Sequence, residues 1–132
     1  YHRWGRALFD KGLFYEAFTV LADGFYRYRR ESSLAQNCRV ALFAALNQYG
    51  RHGQWAESQG LLQELRALNL PMTEADQQTL RTYLRHWMTH FVRTGEREAL
   101  LSSLELLQHL DLDDGSFEAE FDQAGMLSRG RD

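Results

Sequence analysis

Three glycines, Gly12, Gly53 and Gly95, fall 41 and 42 residues apart, and each separates two stretches whose apolar residues recur at helical spacing. Before Gly12 stand Tyr1, Trp4, Ala7 and Leu8; after it stand Phe14, Ala17, Phe18 and Leu21. Two apolar stripes running in opposite directions from one glycine describe a helical hairpin. Gly5 and Ala17 are the small residues expected to let the two backbones approach, with Trp4, Leu8 and Leu21 filling the space around them. The second hairpin carries Tyr49 before Gly53, then Trp55, Ser58, Leu61, Leu62 and Leu65; the third carries Phe91 before Gly95, then Ala99, Leu100 and Leu104. A period of this length signals an array of helical repeats.

The hairpins are expected over about 1–30, 33–68 and 74–110. Ser33 with Gln36 has the form of a capping box for the third helix. The clearest break is Asn69-Leu-Pro71-Met-Thr73, where the only proline ends one helix and Thr73 starts the next. Asp113-Asp114-Gly115 lacks the remaining ligands of a calcium loop and reads as a turn. Ser116 then caps a terminal helix, about 116–127, that covers the last apolar face through Phe117, Phe121 and Leu127; residues 128–132 are expected to form a disordered tail. The fold class expected is therefore all-α, a right-handed α-solenoid of three antiparallel hairpins plus a C-terminal capping helix, with 1–127 as one repeat domain. A chain that starts inside its first helix without an initiator Met is expected to be a piece of a longer protein.

Hydrophobic residues make up 44% and charged residues 25%, a globular balance that argues against wholesale disorder. No apolar run approaches the roughly 18 residues of a membrane span. Cys38 is the single cysteine, which excludes an internal disulfide and a cysteine-built zinc site and tilts the compartment toward the reducing cytoplasm. The net charge of -3 conceals an asymmetry: residues 1–66 hold nine basic against six acidic groups, and residues 96–132 hold three against ten. The basic run Arg27, Arg29, Arg30 is read as the dipole-compensated end of the second helix.

The first hairpin resembles a tetratricopeptide repeat (TPR): Tyr1, Trp4, Gly5, Leu8, Gly12, Phe14, Ala17, Leu21 and Gly24 stand where that family places large, small or turn residues. The later hairpins depart from it at Leu46, Met88 and Leu100, which suggests wider helix spacing. The resemblance, over about residues 1–110, implies a concave groove lined by the first helix of each pair. Its positions carry over to His2, Arg6, Phe9 and Asp10; to Val40, Phe43, Asn47 and Arg51; and to Thr82, Arg85, Thr89, Val92 and Arg93. Such a face is cationic and suits a protein or peptide partner bearing carboxylates. The family's carboxylate clamp is not reproduced, since His2, Arg6 and Thr82 replace its lysine and asparagine positions. A non-catalytic interaction module without cofactor or metal is the function implied, with no membrane insertion and nucleic acid disfavoured.

Other patterns compete. His86 and His90 have the i, i+4 spacing of metal ligands but no third ligand nearby. Arg85 and His90 match the Arg-x4-His pattern of a class of helical ribonucleases, and the stretch from Gly60 to Asp76 has a slight likeness to RNA-reading pentatricopeptide repeats. Phe117, Phe121 and Leu127 offer a route to self-association through the terminal helix.

Overall fold

The computed structural model describes residues 1–129, the side chains of Ser128 and Arg129 excepted. The described residues form seven helices and no strand: α1 (His2–Asp10), α2 (Phe14–Arg27), α3 (Ser32–Arg51), α4 (Trp55–Leu68), α5 (Glu74–Thr94), α6 (Arg97–His109) and α7 (Glu118–Arg129). They divide into two compact units, Tyr1–Pro71 and Met72–Asp132, at the break around Pro71. Ser128 and Arg129 continue α7, and the rest of the expected tail lies outside the described residues.

All three spacing glycines are turns. Gly12, Gly53 and Gly95 have φ of 77°, 65° and 71°, a left-handed conformation that costs a residue with a Cβ about 1–2 kcal/mol. In each turn the amide after the glycine reaches back five residues: Leu13 to Leu8 O (3.0 Å), Gln54 to Tyr49 O (2.9 Å) and Glu96 to Phe91 O (2.9 Å). Each glycine amide bonds three residues back, to Phe9 O, Gly50 O and Val92 O. This doubly bonded glycine stop absorbs carbonyls that a helix end leaves unpaired and sends the chain directly into the next helix. Asp111, at φ 56°, closes α6 the same way, with Leu112 N on Leu107 O (2.9 Å).

In the first unit α1 packs on α2, α2 on α3 and α3 on α4, and α1 also reaches α3. Phe18, Leu21, Phe25, Leu34, Leu42, Leu46, Leu61, Leu62 and Leu65 fill the core. Burying each such side chain contributes about 1.5–3 kcal/mol. The close approach of α1 to α2 rests on two glycines. A Cβ on Gly5 would fall 2.7 Å from Leu21 Cγ, and one on Gly24 would fall 2.6 Å from Tyr1 Cγ. Gly5 thus makes room for Leu21, and Gly24 for Tyr1. Trp4 does not fill this interface: it is 63% exposed, because Gly5 and Leu8 turn the packed side of α1 toward α2 and leave Trp4 off it. Ser33 is not the cap of α3 either. The helix begins at Ser32 after Glu31, without a side-chain capping bond, and the Ser33 hydroxyl faces His2.

In the second unit α6 packs on both α5 and α7, and α5 touches α7. The Thr73 hydroxyl accepts from Asp76 N (3.1 Å) while the Asp76 carboxylate accepts from Thr73 N (3.0 Å), so a reciprocal capping box starts α5. Leu80, Leu84, Met88 and Phe91 of α5, Leu100, Leu104 and Leu107 of α6, and Leu112 and Phe117 beyond it are buried. Phe117 is 0% exposed, so it anchors α7 rather than offering a surface for self-association.

Candidate interaction surface

The residues of α3 on the side away from its core form one stripe: Val40, Asn47 and Arg51 at i, i+7 and i+11, all exposed, with the half-buried Phe43 beside them. On α1 the corresponding stripe is His2, Arg6, Phe9 and Asp10. His2 brings the two together. The Asn37 amide donates to His2 Nδ1 (2.9 Å), which leaves Nε2 as the donor to Ser33 Oγ (3.3 Å), and Glu31 Oε2 lies 3.7 Å from Nε2. The N-terminal ends of α1 and α3 therefore stand side by side. Arg6 is exposed and forms an i, i+4 pair with Asp10 (3.5 Å), worth a few tenths of a kcal/mol at such exposure. Phe9 is half-buried against the Phe14 ring, centroids 4.9 Å apart, and so forms part of the hairpin as well as its rim. Arg51 is exposed in the last turn of α3.

The other side of this unit is tied together by long-range polar contacts. The Tyr15 hydroxyl donates to Glu64 Oε1 (2.8 Å); that carboxylate, then burial, holds the phenol above the ordinary tyrosine range. Arg29 donates to Leu68 O (2.9 Å) and stacks over Phe25 and Tyr26, so it joins α2 to the end of α4 instead of capping its own helix. Arg27 lies in the last turn of α2 and pairs with Asp23 (3.5 Å).

The groove positions of α5 are divided. Thr89 and Arg93 are exposed. Arg85 is engaged on every side: its Nη2 donates to Ser116 O (3.0 Å) and Oγ (2.8 Å), its Nε lies 3.4 Å from Glu120 Oε1, and its Cζ sits 4.0 Å over the Phe117 ring. The sequence expectation that Arg85 lines an open groove thus gives way to a structural role, since α7 and its lead-in occupy the guanidinium. One turn earlier, Arg81 donates to Leu112 O (2.7 Å) and lies 3.6 Å from Asp114. The Ser116 hydroxyl and amide both donate to Asp114 Oδ1. These bonds, more than Arg81, hold the Asp114 carboxyl below the ordinary aspartate range. His90 lies against Trp87 and Phe91 and 3.7 Å from Glu96. Among the described residues no group of three or more His, Cys, Asp and Glu is placed to hold a metal ion, and no helix is long and apolar enough to cross a membrane.

Sequence reasoning missed the Arg85 cluster, although a signal existed. His2, Glu31, Ser33 and Asn37 of the first unit become Arg85, Asp114, Ser116 and Glu120 on adding 83 to each number, the same step that leads from Gly12 to Gly95. In both units a basic side chain ten residues before the turn glycine grips a Ser and the polar residue four positions after it. No family model matches the chain, and no curated protein or solved structure matches it.

Proposed function

We propose that this chain is a non-catalytic protein-interaction module of tetratricopeptide-like hairpins, and that it binds an acidic peptide segment across the first-helix face of the first unit. The right-handed superhelix of three hairpins expected from the sequence belongs to the same proposal. The observation that carries it is the adjacency of α1 and α3 through His2. It brings the start of α1, with exposed Arg6 one turn further along, next to the start of α3, whose exposed stripe continues through Val40 and Asn47 to Arg51. A carboxylate-bearing peptide finds there both charge-assisted hydrogen bonds and apolar contact. Arg85 takes no part.

The test is to pan a random dodecapeptide library against the full chain and measure the selected peptides by fluorescence anisotropy. Enrichment of Asp and Glu is expected, with Arg51→Glu and Arg6→Glu each weakening binding at least tenfold while far-ultraviolet circular dichroism stays unchanged. Equal affinity in both reversals would reject this face.

A further inference from the structure

The basic run at the end of α2 takes no part in the α1/α3 face. Only Arg27 lies in the last turn of α2, where a cation complements the helix dipole; Tyr28, Arg29 and Arg30 follow the helix end. Tyr26 and Tyr28 are 68% and 56% exposed, and every residue from Tyr26 to Ser33 faces solvent. The bond from Arg29 to Leu68 O brings the end of α4 alongside, with Arg66 exposed in its last turn. Arg30 and Arg66 make no ion pair among the described residues, and Arg27 meets Asp23 only at the surface. The connection itself does not demand these residues. Its counterpart at +83 reads His109, Leu110, Asp111, Leu112 and Asp113, and it buries Leu112 where the first unit carries Arg29.

We infer that this end of the first unit binds single-stranded nucleic acid, with phosphates on Arg30 and Arg66 and bases stacked on Tyr26 and Tyr28. A guanidinium fork matches phosphate geometry, and the counterions it displaces supply affinity. Aromatic rings open to solvent among those cations take unpaired bases by stacking, whatever the sequence. Paired bases keep their faces inside the duplex, so the two rings select single strands. Arg29 has a different part. It lies over the Phe25 ring (5.0 Å) and the Tyr26 ring (5.6 Å) while it holds Leu68 O, so it positions Tyr26 and the end of α4 together. An acidic peptide would pair with the arginines and leave both tyrosines unused. An anionic membrane is the weaker match as well, because the patch has hydroxyl-tipped rings and no exposed aliphatic side chain to bury. Charge steers a polyanion the same way: residues 1–66 hold nine basic against six acidic groups, and residues 96–132 hold three against ten.

The probes are fluorescein-labelled oligouridine and oligothymidine dodecamers, titrated with the full chain by anisotropy, beside a DNA duplex of the same length and vesicles containing phosphatidylserine. Both single strands are expected to bind, and raising the salt from about 50 to about 200 mM should weaken them about tenfold, the response to two or three phosphate contacts. A chain bearing Arg30→Glu and Arg66→Glu should bind them about tenfold more weakly or worse. Tyr26→Ala and Tyr28→Ala should each cost about fivefold or more, while Tyr26→Phe, which keeps the ring, should cost nothing. Circular dichroism verifies the fold of each variant. Arg51→Glu should leave this binding within about twofold, which separates the site from the α1/α3 face. The inference is overturned if neither dodecamer binds, if the duplex binds as tightly as the single strands, or if the vesicles bind and the dodecamers do not. Unchanged affinity after the double charge reversal, or after either tyrosine truncation, overturns it equally.

Discussion

In the first unit the first and third helices are linked by a histidine that bonds Ser33 and Asn37; in the second the same link is an arginine that bonds Ser116, faces Glu120 and covers Phe117. One position, ten residues before the turn glycine, serves the same geometric purpose with different chemistry. The difference follows what each third helix buries. α3 places Leu34, Ala35, Cys38, Ala41, Leu42, Ala45 and Leu46 in a core and is further covered by α4, so its link to α1 can be slight and exposed. α7 and the segment leading into it bury Leu112, Phe117 and Ala124 among the described residues. A guanidinium using its hydrogen bonds, its charge and its flat face at once supplies the attachment that burial does not.

This contrast can be broken experimentally. The largest effect should come from Phe117→Ala, which removes the anchor of α7 and is expected to cost about 3–5 kcal/mol in urea unfolding. Leu34→Ala, at the matching position of α3, should cost about 2–5 kcal/mol. A cost below 1 kcal/mol for Phe117→Ala would show that α7 is not held by it. Next, Arg85→Ala should lose about 1–3 kcal/mol, since Glu120 Oε2 is already buried without a hydrogen-bond partner among the described residues and its carboxylate would lose its cation too. His2→Ala should lose less than about 1 kcal/mol, because its partners are exposed and regain water. Equal losses would erase the distinction between the two links.

The smallest effect concerns pH. The Asp114 carboxyl is held below its ordinary range, so its contribution is complete above the unfolded value of about 3.9 and fades as pH falls through the lower folded value. Unfolding curves between pH 5 and 2 should be flatter for Asp114→Asn than for the parent chain, and identical slopes would remove Asp114 from the α5–α7 attachment.

What was legible in the sequence was what local chemistry dictates. Gly12, Gly53 and Gly95 mark turns because a left-handed residue is needed to reverse the chain within two residues, and Thr73 with Asp76 caps α5 through side chains only three apart. What was not legible depends on which neighbour each helix face meets. Trp4 shares the helical pattern of a core residue yet lies 63% exposed, since periodicity identifies a stripe without showing how wide the covered part is. Arg85 occupies the register of a groove residue, and only the arrival of Phe117 and Glu120, some 30 residues later, converts it to a structural one. Ser33 has a capping pattern with Gln36, but the N-cap is Glu31, two residues earlier, and the Ser33 hydroxyl goes to His2.

The central claim is that one arrangement is built twice, closed by burial at Cys38 in the first unit and, among the described residues, more open at Phe121 in the second, and thiol reactivity compares the two directly. Cys38 lies in the closed copy, where burial pushes its thiol up to about 12, and Phe121 holds the matching position in the open one. In a Phe121→Cys chain treated with iodoacetamide at pH 8 and read by peptide mass spectrometry, residue 121 should be alkylated on the order of a hundredfold faster than Cys38, which should react only after denaturation. Comparable rates at the two positions would contradict the account.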